Sequence, residues 1–202
     1  MLTRTNSSTS PGPAPAETGR HVPGEVGVWV FILGEMVVFA TLFVTYLSYR
    51  AADPGLFAAS QMTLNRTSGV ILTLILLSAS FLVVLAVRAV RAGAPHLARR
   101  LILAAIGCGA MFIALKALEY HDKVAHGLTP QTNDFYMLYF VLTGLHLFHV
   151  VLGLVVLVIL YRLAGKPHLS PVRFGFVEGG ACFWHMVELL WIVLFPLLYL
   201  VR

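Results

Sequence analysis

Apolar residues along this chain arrive in long unbroken runs and not in the short alternating stretches of a half-buried sheet. Five runs of about twenty residues or more can be counted, at about 26–49, 68–90, 98–118, 135–161 and 176–201. Charged, proline-bearing or glycine-bearing segments separate them. A helix of about twenty apolar residues crosses the hydrocarbon layer, whereas a membrane β-barrel would show segments of about ten residues with alternating polarity. None of the five runs alternates, so the pattern predicts an all-α polytopic membrane protein, a bundle of five transmembrane helices. Residues 1–25 open with MLTRTNSSTSPGPAPAETGR, too poor in apolar surface to offset chain entropy, and read as a disordered tail. That tail has no apolar core, so it is expected to be neither a signal peptide nor an anchor, and the first membrane helix is expected to drive insertion. Residues 26–202 then form one membrane domain, with no internal repeat and no loop long enough for a soluble domain.

Composition agrees with the pattern. Hydrophobic residues make up 58% of the chain and charged residues 11%, far from the balance of soluble domains. The net charge of +5 comes from basic residues spread over short loops, where topology and anionic lipid explain them better than nucleic acid does. Arg4, Arg20, Arg88, Arg91, Arg99, Arg100, Arg162, Lys166 and Arg173 fall on the side of the N-terminus. Arg50, Arg66, Lys116, Lys123 and Arg202 fall on the other side. The positive-inside rule therefore places the N-terminus inside and, with an odd number of spans, the C-terminus outside. Cys108 and Cys182 both lie within apolar runs, have no metal-ligand spacing and read as buried thiols.

Chemistry in such a chain must sit in or beside the helices. An ionisable side chain at membrane depth is costly unless it faces protein, water or a partner. Glu35 lies near the middle of the first run and reads either as a protonatable site or as a hydrogen-bonded acid that holds helices together. His146 and His149, three residues apart in TGLHLFHVVLG, share one helix face. Two histidines there suit haem or metal ligation, but a matching pair on another span is missing, and hydrogen bonding between helices is the plainer reading. Only His185 lies deep in another run, while His21, His96, His121, His126 and His168 fall in the tail or near loops. Glu178, His185 and Glu188 line one face of the last run, and Gly179, Gly180 and Ala181 permit close helix approach beside them.

Lys116, Glu119 and Tyr120 sit in KALEYHDK, where the third run gives out. Solvated charges at the membrane edge, with Lys116 snorkelling, are the expectation there. Asn133 or Asp134 can cap the next helix. Trp29, Trp184 and Trp191 read as packing or interfacial groups, and Pro196 as a kink in the last helix.

Several stretches taken together are specific. GVWVFILGEMVVFATLF, LNRTSGVILTLILLSAS, KALEYHDK, NDFYMLYFVLTGLHLFHVVLGL and FGFVEGGACFWHMVELLWIVLFPLLYL occur in this order on the five runs. The chain resembles subunit III of the haem–copper oxidase (cytochrome c oxidase) family over nearly all of its length after the tail. WHMVELLW takes the place of the family's Trp-His-x-Val-Asp-x-x-Trp, with Glu188 where the family has aspartate. Mitochondrial-type members have seven helices, and this chain resembles the five-helix form that lacks the first two. Within that form, HVPGEVGVWVFILGE and the fourth run look closer to the NorE type associated with nitric oxide reductase.

The resemblance implies a non-catalytic subunit of a respiratory oxidoreductase complex in the bacterial plasma membrane. It would support assembly, stability and proton supply of subunit I in aerobic electron transport, or serve nitric oxide reductase in the NorE-type equivalent. It implies no cofactor on this chain, with haem and copper or iron in the partner subunit, and membrane lipid as the other contact. By position, Glu35 matches the family's buried helix glutamate, and His149, Glu178 and His185 match its inter-helix polar residues. Two other classes are weighed against it, a small secondary transporter and a transmembrane haem-binding oxidoreductase. The first would show inverted repeats and broken helices. The second would show paired haem ligands.

Overall fold

The computed structural model describes residues 26–165 and 170–201, so the expected tail, Lys166, His168 and Arg202 lie outside the described residues. Within them the chain is helical, with no strand. The helices are α1 (Val26–Ala52), α2 (Pro54–Gln61), α3 (Arg66–Arg91), α4 (Pro95–Ala125), α5 (Asp134–Ala164) and α6 (Pro171–Phe195). A π-helical turn, Pro196–Leu200, follows α6. Five of these helices are long and apolar enough to cross a membrane, as the five runs predict.

The ends depart from the expectation. α4 begins at Pro95 and runs to Ala125, because LEYHDKVA contains no helix breaker and Gly127, at φ +74°, is the first residue free to turn the chain. KALEYHDK is therefore helical throughout, not a helix exit. α6 begins at Pro171, where Ser170 caps the backbone N–H of Arg173 and proline takes the first turn. The short helix α2, which the hydrophobic pattern does not announce, has the same signature: Asp53 accepts from Leu56 N–H and Pro54 follows it. Asn133, not Asp134, caps α5 by accepting from Tyr136 N–H at 3.0 Å. Pro196 is more than a kink, since the register shift it introduces becomes the π turn that aims Tyr199 into the bundle.

α3, α4, α5 and α6 pack around a common core, and α1 lies along α5 and α6. α1 buries a stripe at every seventh residue, Ile32, Phe39 and Tyr46, and leaves most of its other side chains outward. The centre is aromatic. Trp184 and Trp191 are fully buried, and Phe112 stacks edge-on against Trp191 with centroids 4.9 Å apart. Trp29 is more exposed than either. Cys108 and Cys182 are half-buried, not the buried thiols expected, because both stand on the flanks of their helices.

Candidate functional site

Four polar ties cross the core, and together they use nearly every ionisable residue at membrane depth. In the first, α1 and α5 meet through Glu35 Oε2 and His149 Nε2 at 2.9 Å, while His149 Nδ1 donates to Leu145 O at 2.8 Å. Both ring nitrogens of His149 are thus spent within the bundle, and Phe39 of α1 packs edge-on against the ring. Glu35 keeps one edge open to the outside of α1.

The second and third ties join α6 to α3. Ser80 Oγ and His185 Nδ1 share a hydrogen bond, with Glu188 Oε2 3.7 Å from the same nitrogen. Near the end of the bundle, Arg91 donates through Nη2 to the buried Glu178 Oε1. The polar stripe of the last helix therefore faces α3. It is separate from the Glu35–His149 pair, which joins α1 to α5. The reason is packing: Gly180 lies so close to Val156 and Leu160 of α5 that an added Cβ would come within 2.8 Å, and this small-residue face fills the α5 side of α6.

The fourth tie corrects the reading of Lys116. Its side chain is fully buried and does not snorkel. The ammonium donates to Glu119 Oε2 at 3.2 Å, Tyr139 Oη at 3.1 Å and Tyr199 Oη at 3.0 Å. Glu119 Oε1 accepts in turn from Tyr139 at 2.7 Å and Tyr199 at 2.6 Å. Four rings, of Tyr120, Tyr139, Trp191 and Tyr199, stand within 5.6 Å of the charge. A lysine ten residues inside a helix end turns inward here because a carboxylate one turn on and two phenols from other elements satisfy all three of its donors.

His146 stands between these ties without joining one. It is fully buried against Phe112 and Trp191, and neither ring nitrogen has a hydrogen-bond partner among protein groups. Of the residues singled out from the sequence, Glu35 and His149 come together, His185 and Glu188 come together, Glu178 takes Arg91, Glu119 takes Lys116, and His146 takes only aromatic faces. Among the described residues no group of three His, Cys, Asp or Glu is arranged to hold a metal ion. Sequence reasoning passed over Ser80, Tyr139 and Tyr199, and counted Arg91 only as a loop charge. A lysine followed by glutamate at i+3 inside an apolar run was the one signal that could have found the fourth tie.

The same helices carry a family signature. The family model described as cytochrome c oxidase subunit III matches residues 20–201. A cytochrome c oxidase subunit 3 from Synechocystis is 33% identical over 196 residues, covering 96% of this chain and 83% of that protein. One from Corynebacterium diphtheriae is 31% identical over 179 residues, covering 88% and 87%. A probable cytochrome c oxidase subunit 3 from Mycobacterium tuberculosis is 29% identical over 177 residues, with the same coverage. With a match across all five spans, this chain belongs to the cytochrome c oxidase subunit III family.

Proposed function

We propose that the chain is the non-catalytic third subunit of a respiratory haem–copper oxidase in the bacterial plasma membrane, N-terminus inside, where it stabilises subunit I. The observation that carries this reading is the way the buried acids and bases are spent. His149 has both nitrogens engaged, His185 bonds to Ser80 through Nδ1 with Glu188 3.7 Å from the same nitrogen, and Lys116 has no free donor. Among the described residues, groups tied up in this way brace helices and leave no nucleophile beside a base, and no convergent ligand set, for redox chemistry. Haem and copper then belong to the partner. The relatives above are named for cytochrome c oxidases, which favours an oxygen-reducing partner over nitric oxide reductase. With Lys116 and Lys123 drawn into the bundle, the described lysines and arginines at the far-side helix ends reduce to Arg50 and Arg66, which supports the inside placement of the N-terminus.

Purification of the tagged full chain in mild detergent tests the assignment. The expected result is a large haem-bearing oxidase subunit in the eluate and a colourless chain when that subunit is removed. A Soret band retained by the isolated chain would overturn it, and a nitric oxide reductase subunit in the eluate would redirect it to the NorE type.

Glu35 gives a second test. Removing its carboxylate leaves His149 Nε2 without a partner, at about 1–3 kcal/mol for an unsatisfied buried group, and loosens α1 from α5. Glu35→Ala is expected to lower recovery of the complex or shorten its sustained turnover under coupled conditions, and Glu35→Gln to restore most of it. A Glu35→Ala complex with normal assembly and sustained turnover would remove Glu35 from the proposal.

A further inference from the structure

In the tie between α3 and α6, one nitrogen of His185 faces out of the bundle. Ser80 Oγ and Glu188 Oε2 both stand at Nδ1, while Nε2 meets no hydrogen-bonding group among the described residues, and 36% of the side chain is exposed. Whichever nitrogen carries the proton, Nε2 retains one hydrogen bond to make, as donor or as acceptor. The span Val172–Leu200 leaves 13 residues on one side of His185 and 15 on the other, about 20 Å of helix each way. Half the hydrocarbon layer is about 15 Å, so neither headgroups nor bulk water lie within reach of the ring.

The outward hydroxyls of the membrane helices do not share this need. Thr41, Thr45, Ser48 and Ser78 each donate to a carbonyl four residues back on their own helix. His185 has no such recourse, because the bond to Ser80 holds its ring across the α3–α6 seam. Around it the surface is apolar. Leu189, Ile192 and Val193 stand exposed on the next turns of α6, as do Leu77 and Phe81 beside Ser80 on α3. Acyl chains cover such a surface but offer the nitrogen no partner, whereas a helix carrying one polar side chain does both.

We propose that the α3–α6 face is the docking surface for the catalytic subunit, one of whose transmembrane helices lies over Leu189 and Phe81 and bonds His185 Nε2 through a polar side chain. This rests on the assignment as the third subunit and adds to it the face and the contact. The ring is already oriented by Ser80, so little side-chain entropy remains to be lost on docking. One hydrogen bond at fixed depth also sets the register of the docked helix, which apolar contacts alone leave free to slide.

Photo-crosslinking in the intact complex tests the face. Benzoylphenylalanine in place of Leu189 should give an adduct with the catalytic subunit, and in place of Leu103, exposed on α4, it should give none. Amide variants test the contact, since Asn sets its amide where Nδ1 stands and Gln where Nε2 stands. His185→Asn should keep the Ser80 tie yet lower the catalytic subunit retained through a detergent wash by about three- to fifteenfold, the effect of one interhelical hydrogen bond. His185→Gln should retain most of it. A role confined to bracing α3 against α6 gives the opposite order. That opposite order, an adduct of Leu189 with a second copy of the chain or with lipid alone, or adducts from Leu103 and none from Leu189 would each overturn the docking face and leave the subunit assignment standing. Absence of an oxidase subunit from the eluate of the unsubstituted chain would overturn both. If His185→Asn fails to fold, the Leu189 adduct decides.

Discussion

Glu119→Ala is expected to destabilise the bundle by about 3–5 kcal/mol, more than any other single side-chain truncation at the polar ties, because it strands a buried ammonium. Lys116 is fully buried and keeps only the hydroxyls of Tyr139 and Tyr199 once the carboxylate is gone. Those phenols lose their own acceptor in the same step. The damage should spread to the C-terminal turn, since Tyr199 is carried by Pro196–Leu200 and Gln61 of α2 donates to Leu197 O in that turn. Thermal unfolding followed by size-exclusion fluorescence should show the loss. Two comparisons separate the ion pair from simple packing. Glu119→Gln, which keeps an acceptor for the phenols and removes the charge, should cost less than Glu119→Ala. The pair Lys116→Met with Glu119→Leu removes both charges and should recover much of the stability, because a buried pair offsets little more than its own desolvation. A Glu119→Ala protein as stable as the parent would mean that Lys116 finds water or lipid phosphate, and that its burial is not an obligate part of the fold.

The five spans were legible because length and apolarity alone decide whether a helix can cross a bilayer. Their ends were not, because helix continuation past the hydrocarbon depends on local breakers: α4 runs on to Ala125 through His121, Asp122 and Lys123, polar residues beyond the apolar run. The short helix α2 was readable only from Asp53 followed by Pro54, a cap signature without a hydrophobic pattern to support it. At the candidate site, the types of residue were legible and the pairings were not. Glu35 and His149 could each be picked out as costly in lipid, but only packing of α1 against α5 brings them to 2.9 Å. Ser80 carries no signal of its own, since a serine in an apolar helix ordinarily bonds its own backbone, as Ser78 does to Leu74 O. Lys116 was read as snorkelling because the phenols that hold it come from Tyr139 and Tyr199, 23 and 83 residues away.

Gly153→Leu is expected to be the most damaging change at a position that carries no side chain at all. An added Cβ at Gly153 would lie 2.8 Å from Trp184 Cε3, and one at Gly109 would lie 3.0 Å from Trp184 Cη2. The two glycines, on α5 and α4, form the slot that admits the indole of α6 to the centre of the bundle, where it is 1% exposed. A rigid ring held between two backbones cannot rotate away. Gly153→Ala should therefore cost about 1–3 kcal/mol, and Gly153→Leu more, as α5 and α6 are forced apart. Separation of those helices would also disturb the Glu35–His149 tie, which hangs on the same α5 face, so recovery of the oxidase complex should fall together with stability. Gly107→Ala is the control: its Cβ meets nothing within 4 Å, and it should be neutral or stabilise by about 0.5–1 kcal/mol through helix propensity. A double-mutant cycle of Gly153→Ala with Trp184→Leu should show coupling, because the smaller side chain vacates the slot. Additive costs in that cycle would show that the indole does not set the spacing of α4, α5 and α6.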